Sequence, residues 1–461
     1  MLSFSEVVYR ALNGPICTER DYDLGIFVPN LLKVLNKYGI KYDPQNPVPA
    51  DDDLADRVWE AGMEFLVETG MYCLDTERRI LFTRDEIEGA LQTGPSGCVY
   101  GEGKDARVMP RRYPEDKTPP WCSGCGAGPV SKEEYVINIV RTYAEDALSD
   151  GITAPAITNV DGLPVTANSP TAIEGAIRTI LLTREGLRRA GRPGLAVVNE
   201  VASAIRAAEH IAGHRFGNPK TDHLEIGLMH EMKVDLDALN KVMYCQSLNN
   251  LTFGETGPII GGFAGGPAGV GVLVTAYNPV ALLVLRAAAQ HPFIVPIEKG
   301  TTSRRDCIWA RCAGLQALTR HSRLPAVGSG YSSAGPMTKM SYYEFAAWVI
   351  ANVVSGGSCE MGIPYRGTLT DHCGPLEDIF ANGIAHAVLG MSRKEANKIV
   401  LALLEKYEDK IADPPRGTPY IGYFDVATSR PSKECIQLYR ETRKEFTDKF
   451  GLQFKNTSPY G

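Results

Sequence analysis

The 461-residue chain is 44% hydrophobic and 22% charged with a formal net charge of −6, an ordinary globular composition that suits one large barrel with extensions or two or three smaller domains. The acidic balance and the lack of a concentrated basic face argue against nucleic acid as a partner, and no apolar run approaches the length that crosses a bilayer. Eleven scattered cysteines form no disulfide framework, and residues 1–13 lack the basic start and long apolar core of a secretion signal, so a cytoplasmic location is expected.

In chain order, residues 1–150 read as a helical and irregular extension. From Asp51 to Thr69, Leu54, Val58, Ala61, Phe65 and Leu66 fall near helical spacing and make one apolar stripe. Thr83 with Glu86, and Ser131 with Glu134, have the spacing of capping boxes. Between them, residues 101–129 are rich in Gly, Pro and charge and read as a long connection.

From Gly151 onward, short apolar or β-prone runs alternate with helical patterns, the sign of parallel strands joined by crossover helices. Candidate strands lie near Ile152–Val160, Gly194–Asn199, Leu224–Leu228, Pro258–Phe263, Pro292–Ile297, Ala326–Ser329 and Gly357–Met361. These are seven, one fewer than a closed eight-stranded barrel needs. Helix starts are expected at Ser169-Pro170 and Asn278-Pro279, where proline takes a position whose amide is unpaired anyway. Residues 151–390 are assigned to the α/β unit and 391–461 to a C-terminal helical extension. The pattern by itself supports an α/β fold, open or closed.

Several motifs invite chemistry. Cys122-Ser123-Gly124-Cys125 has the spacing of half a zinc site, but no second half lies nearby, and His372-Cys373 is remote, so no tightly bound metal is expected. Gly261 to Gly266 resembles a phosphate-binding loop without the Lys-Ser/Thr ending, and reads better as a small-residue surface that lets another molecule approach. His223 and Glu225 are two apart, so a strand would point them to the same face. His223 and His230 read as structural histidines. Asn199 suits a helix cap as well as a site.

Four blocks along the chain resemble one family. Gly191-Arg192-Pro193-Gly194 leads into an apolar strand ending at Val198. Asp222 to Glu225 precede Glu231 to Ala238. Glu255 precedes the Gly257 to Gly266 run, and Tyr331 precedes Ala334-Gly335-Pro336. With their order and spacing, from about Asp21 to Phe454, these are similar to the monomethylamine methyltransferases, corrinoid-dependent barrel enzymes whose defining residue is pyrrolysine.

The resemblance implies a TIM-type (β/α)8 barrel with an N-terminal helical extension and additional C-terminal helices. It puts Val198 in the pyrrolysine slot and Ser329 where the family has glutamine. Glu225, Glu255 and Tyr331 then stand as catalytic and substrate-binding residues, with Val198 and Ser329 lining the pocket. Gly261, Gly262 and Phe263 stand as the surface that meets the corrinoid. All the pocket residues fall at or near predicted strand ends, where such barrels build their sites, although a valine there equally fills core volume.

The implied reaction moves a methyl group from a small methylated amine to the Co(I) corrinoid of a separate carrier protein. A neutral amine is a poor leaving group, so without pyrrolysine the nitrogen must arrive cationic, as in a quaternary ammonium compound. Glu225 and Glu255 would attract that cation, and Tyr331 would offer a π-face or hydroxyl. The alternatives are a noncatalytic homologue that binds a methylated cation or the carrier, and an O- or S-demethylating enzyme. Relatives imply a homo-oligomer, a hexamer being the expectation.

Overall fold

The structure, a computed structural model, describes residues 2–125, 128–199, 206–298, 301–455, 457–458 and 460, with backbone alone at 125, 199 and 361. Eight parallel strands make its centre: β1 (Cys122–Cys125), β2 (Gly151–Thr153), β3 (Ala196–Asn199), β4 (His223–Gly227), β5 (Leu251–Thr256), β6 (Ala289–Pro292), β7 (Val327–Tyr331) and β8 (Ser358–Ile363). They pair in the order β6-β5-β4-β3-β2-β1-β8-β7. A parallel bridge between Gln290 and Ala326 joins the two ends and closes the cylinder.

A helix follows every strand: α1 (Glu133–Ala144), α2 (Pro170–Arg189), α3 (Ala207–Arg215), α4 (Leu236–Leu248), α5 (Pro267–Leu283), α6 (Arg305–His321), α7 (Lys339–Val354) and α8 (Pro375–Ala387). The fold is therefore the expected (β/α)8 barrel. Helices α5 and α7 are buried along almost their whole length, because the two extensions cover their outer faces. Asp52–Thr69 lies among the helices before the barrel. Arg393–Tyr407 and Lys433–Phe450 follow it and share one core with α7 and α8. No helix among the described residues is long and apolar enough to cross a membrane.

The Asp51–Thr69 stripe forms its helix as expected, with the Asp51 carboxylate accepting from the Leu54 amide and Val58, Ala61, Phe65 and Leu66 buried. Thr83 and Glu86 make a reciprocal capping box at the start of Arg84–Thr93. Ser131 does not cap: its hydroxyl donates to Asp371 at 2.7 Å, and α1 begins at Glu133. The expected start at Asn278-Pro279 falls inside α5, which begins at Pro267. There the Asn278 amide donates to the Gln290 side chain at 2.7 Å, in the core.

The eighth strand is β1, within the segment read as a connection, so the barrel starts ahead of Gly151. Its small residues hid it. A Cβ on Gly124 would lie 2.8 Å from the Tyr143 side chain, so α1 packs directly on the strand backbone. Two other strands are displaced from expectation. The runs at Pro258–Phe263 and Pro292–Ile297 mostly lie past the barrel, where Ile259–Ile260 pairs with Val295–Pro296. The barrel instead uses Leu251–Thr256 and Ala289–Pro292. Proline has no amide to donate to a ladder, which fits Pro258 and Pro292 standing at or beyond strand ends.

Candidate active site

The N-terminal end of the barrel is plugged. The hairpin Gly97–Tyr100 and Arg107–Pro110 brings Cys98, Tyr100 and Met109 against Trp121, Ala196, Val198, Phe253, Ala289 and Val327. Gly101 and Glu102 donate backbone bonds to Thr221 and Gly194, fastening the hairpin beneath β3 and β4. The His223 ring sits in this layer, 4.4 Å from that of Tyr100 and 4.5 Å from that of Phe253. Burial holds its pKa down to about 3, so the imidazole is neutral.

Val198 is 1% exposed and belongs to this floor. Its side chain fills volume among Trp121, Phe253 and Ala289, one layer below the polar centre. Asn199 is the last residue of β3, and the cap expected of its side chain lies outside the described residues. Glu200, which follows it, lies outside the described residues.

Above the floor, polar side chains from non-neighbouring strands meet, which only the barrel interior allows. His291 Nδ1 on β6 is 2.5 Å from Glu225 Oε1 on β4 and 3.6 Å from Glu360 Oε2 on β8. Ser329 Oγ on β7 is 3.0 Å from His291 Nε2 and 2.8 Å from Glu360 Oε2. Thr153 on β2 donates to the other Glu360 oxygen. Glu225, His291, Glu360 and Ser329 are all buried. Pairing of His223 and Glu225 on one strand face is as expected from their spacing.

Glu255, at the end of β5, is half-buried. Burial and then the charge of Glu360 push its pKa up to about 7, against a smaller pull from Lys241. Burial likewise raises Glu360, opposed by the bonds from Thr153 and Ser329. His291 is held down to about 3 by burial and by Arg311. Three carboxylates around one neutral imidazole make a strongly cation-seeking centre. Tyr331, half-buried, stands at the rim with its ring 4.8 Å from that of Phe293. Thr302 donates to its carbonyl at 3.1 Å.

Gly261, Gly262 and Phe263 lie in the loop after β5, on the same end of the barrel. Phe263 is 42% exposed, with Lys233 Nζ 5.8 Å from its ring centre. The amides of Phe263 and Ala264 bond to the Glu231 carboxylate, whose pKa burial nonetheless raises to about 7. Those amides are already taken by the Glu231 carboxyl group, which disfavours the phosphate reading. A Cβ on Gly262 would come within 2.7 Å of Glu231 Oε1, so the carboxylate would have to shift. His230 bonds through Nδ1 to the Gly257 carbonyl, a structural role. Of the Cys-Ser-Gly-Cys pair, Cys122 is fully buried on β1 beside Cys359, and the Cys125 side chain lies outside the described residues.

The structure thus gathers Glu225, Glu255, Ser329 and Tyr331 at one barrel end and places Val198 beneath them. It adds His291, Glu360 and Thr153, which the sequence reading did not single out. Glu360 lay inside a predicted strand, and period-two alternation from Ser358 would have aimed it inward.

The family description Monomethylamine methyltransferase MtmB matches residues 2–452. Monomethylamine methyltransferase MtmB2 of Methanosarcina acetivorans is 30% identical over 450 residues, covering 96% of this chain and 97% of that protein. MtmB of Methanosarcina mazei is similar to the same degree and extent. Among solved structures, Methanosarcina barkeri MtmB and a hydroxylamine complex of MtmB each superpose with a TM-score of 0.93 at 28% identity, over 98% of both chains.

Proposed function

The chain belongs to the monomethylamine methyltransferase family, a family of enzymes, and from that premise we propose that it transfers a methyl group from a small methylated amine or quaternary ammonium compound to the corrinoid of a separate carrier protein, without pyrrolysine. The observation that carries the reading is the half-buried Glu255 carboxylate beside the Glu225–His291–Glu360 centre, at the C-terminal end of the barrel strands. A corrinoid, when bound, supplies a Co(I) nucleophile that accepts the methyl group.

The chain's own residues select, orient and exclude water. Glu255 and Glu225 draw the ammonium inward, and the Tyr331 ring offers it a π-face at the rim. The Tyr100–Trp121–Val198 floor closes the far end, so the methyl group is held toward the mouth. Displacement disperses the substrate's positive charge, so strong pairing with the carboxylates alone would oppose reaction. Alignment of methyl carbon and departing nitrogen must therefore supply much of the rate. The small loop Gly261–Gly262 and the exposed Phe263 suit a planar partner group approaching the mouth. The reading includes a cytoplasmic homo-oligomer, a hexamer being its expected form.

The test mixes the purified protein, reduced corrinoid carrier and a panel of mono-, di-, tri- and tetramethylated ammonium compounds. Methyl-cobalt absorbance appearing with one donor, together with the demethylated amine, is expected. No methyl-cobalt with any donor, alongside measurable binding of a methylated cation, would replace catalysis by a binding role.

A further inference from the structure

In the deprotonated state that metal ligands adopt, with both carboxylates ionised and the imidazole neutral, the polar cluster in the barrel has one hydrogen too few for its contacts. Four short contacts link it: Glu225 to His291 Nδ1, His291 Nε2 to Ser329, Ser329 to Glu360, and Thr153 to Glu360. Each needs one hydrogen. Thr153 and Ser329 supply one each, and a neutral imidazole supplies one, which leaves one contact without any.

One tautomer satisfies both Ser329 contacts. With the imidazole hydrogen on Nε2, it donates to Ser329 Oγ, and the Ser329 hydroxyl then donates to Glu360 Oε2, satisfying both. The Nδ1 lone pair is left facing Glu225 Oε1 at 2.5 Å and Glu360 Oε2 at 3.6 Å. Three electron-rich atoms then converge on one point. All three lie within 4.8 Å of one another, on buried side chains. Donor atoms around a single divalent ion at roughly 2 Å radius are separated by about 3 to 4 Å, so a modest turn of Glu225 fits them to one centre.

We propose that Glu225, His291 and Glu360 form a mononuclear divalent-metal site in the barrel interior. The donor set of one imidazole nitrogen and two carboxylate oxygens matches zinc with a position left open. Ser329 and Thr153 act behind the ligands. Ser329 fixes the imidazole so that Nδ1 faces the ion, and Thr153 holds the second oxygen of Glu360, the arrangement by which outer groups orient metal ligands. This gives Ser329 an orienting role and departs from the expectation of no bound metal. The site uses strands β4, β6 and β8, and with the ion bound Glu225 serves as its ligand, which leaves Glu255 as the carboxylate that faces an ammonium. The ion would offer its open position to a lone-pair donor, such as a hydroxyl or carboxylate oxygen.

The experiment needs neither methyl donor nor carrier, so its outcome is separate from that of the methyl-transfer assay. Chelator-treated full-length protein is titrated with Co2+ and with Zn2+, following the visible absorption of bound Co2+ and its displacement by Zn2+. One equivalent bound with ligand-field bands is expected. His291→Ala should abolish the bands, with folding checked by circular dichroism. Ser329→Ala, which leaves all three ligands, should weaken affinity about tenfold to a hundredfold. Absence of stoichiometric binding by the folded parent protein would overturn the proposal. Binding that His291→Ala and Ser329→Ala leave unchanged would overturn it equally.

Discussion

Gly227 stands in register beside Glu255, and a Cβ on it would lie 3.0 Å from Glu255 Oε2. The absence of a side chain on β4 therefore leaves room for the carboxylate at the mouth. Gly227→Ala should displace that carboxylate by a few tenths of an ångström and lower methyl transfer roughly tenfold, since small misplacements at a reacting site are costly. Gly227 has an ordinary negative φ, so the melting temperature should hardly move. Initial rates equal to those of the parent protein would remove Glu255 from the site.

Glu255→Gln should weaken binding of a quaternary ammonium compound roughly tenfold to a hundredfold, the scale of a lost charge-assisted contact. Glu255 is half-buried, so folding should survive the change. Calorimetric titration with tetramethylammonium measures it. Glu225→Gln should also weaken binding, and it additionally removes a charge bonded to His291. Normal affinity and turnover in both variants would contradict the pocket assignment.

Val198→Phe tests the floor. A larger ring at a side chain 1% exposed among Trp121, Phe253 and Ala289 should destabilise the fold by about 1–3 kcal/mol through overpacking. Urea denaturation reads the change. If stability is unaltered, the side chain borders open space instead of the plug.

His214, buried in α3 and 3.1 Å from the Tyr244 hydroxyl, has its pKa lowered to about 4 by burial and by Arg184. The unfolded chain binds this proton near pH 6.5 and the folded chain only near 4, so stability falls as pH drops across that window. The full contribution is on the order of 3 kcal/mol. Denaturation at pH 7 and at pH 4.5 should show a smaller acid loss for His214→Leu than for the parent protein. Equal losses would refute the assignment.

β2, β3, β4, β7 and β8 were legible as short apolar or β-prone runs, and Glu225, Glu255, Ser329 and Tyr331 were legible through the family resemblance of the blocks around them. β1 was not, since Cys-Ser-Gly-Cys shows neither alternation nor bulk, and its burial comes from Tyr143 on the following helix and from Cys359, far away in sequence. His291 escaped for a related reason. It lies in Ala-Gln-His-Pro, a strand with no apolar run, while the run following it drew the strand boundary past Pro292. Glu360 is charged within a strand, a feature that reads as surface until the closed cylinder gives that strand an inner face. Local pattern reports what a segment resembles; these residues owe their place to partners on distant strands.

The bridge between Gln290 and Ala326, and the seating of β8 between β1 and β7, also bear on how the chain acquires its shape. β1 must wait for a partner more than two hundred residues downstream, so the sheet stays an open ribbon with two unsatisfied margins until Ser358–Ile363 has been synthesised. Pairings of such long sequence separation form slowly. The cell must keep a nascent edge shielded during that interval, and a chain cut short before Ser358 would expose its margins to other chains.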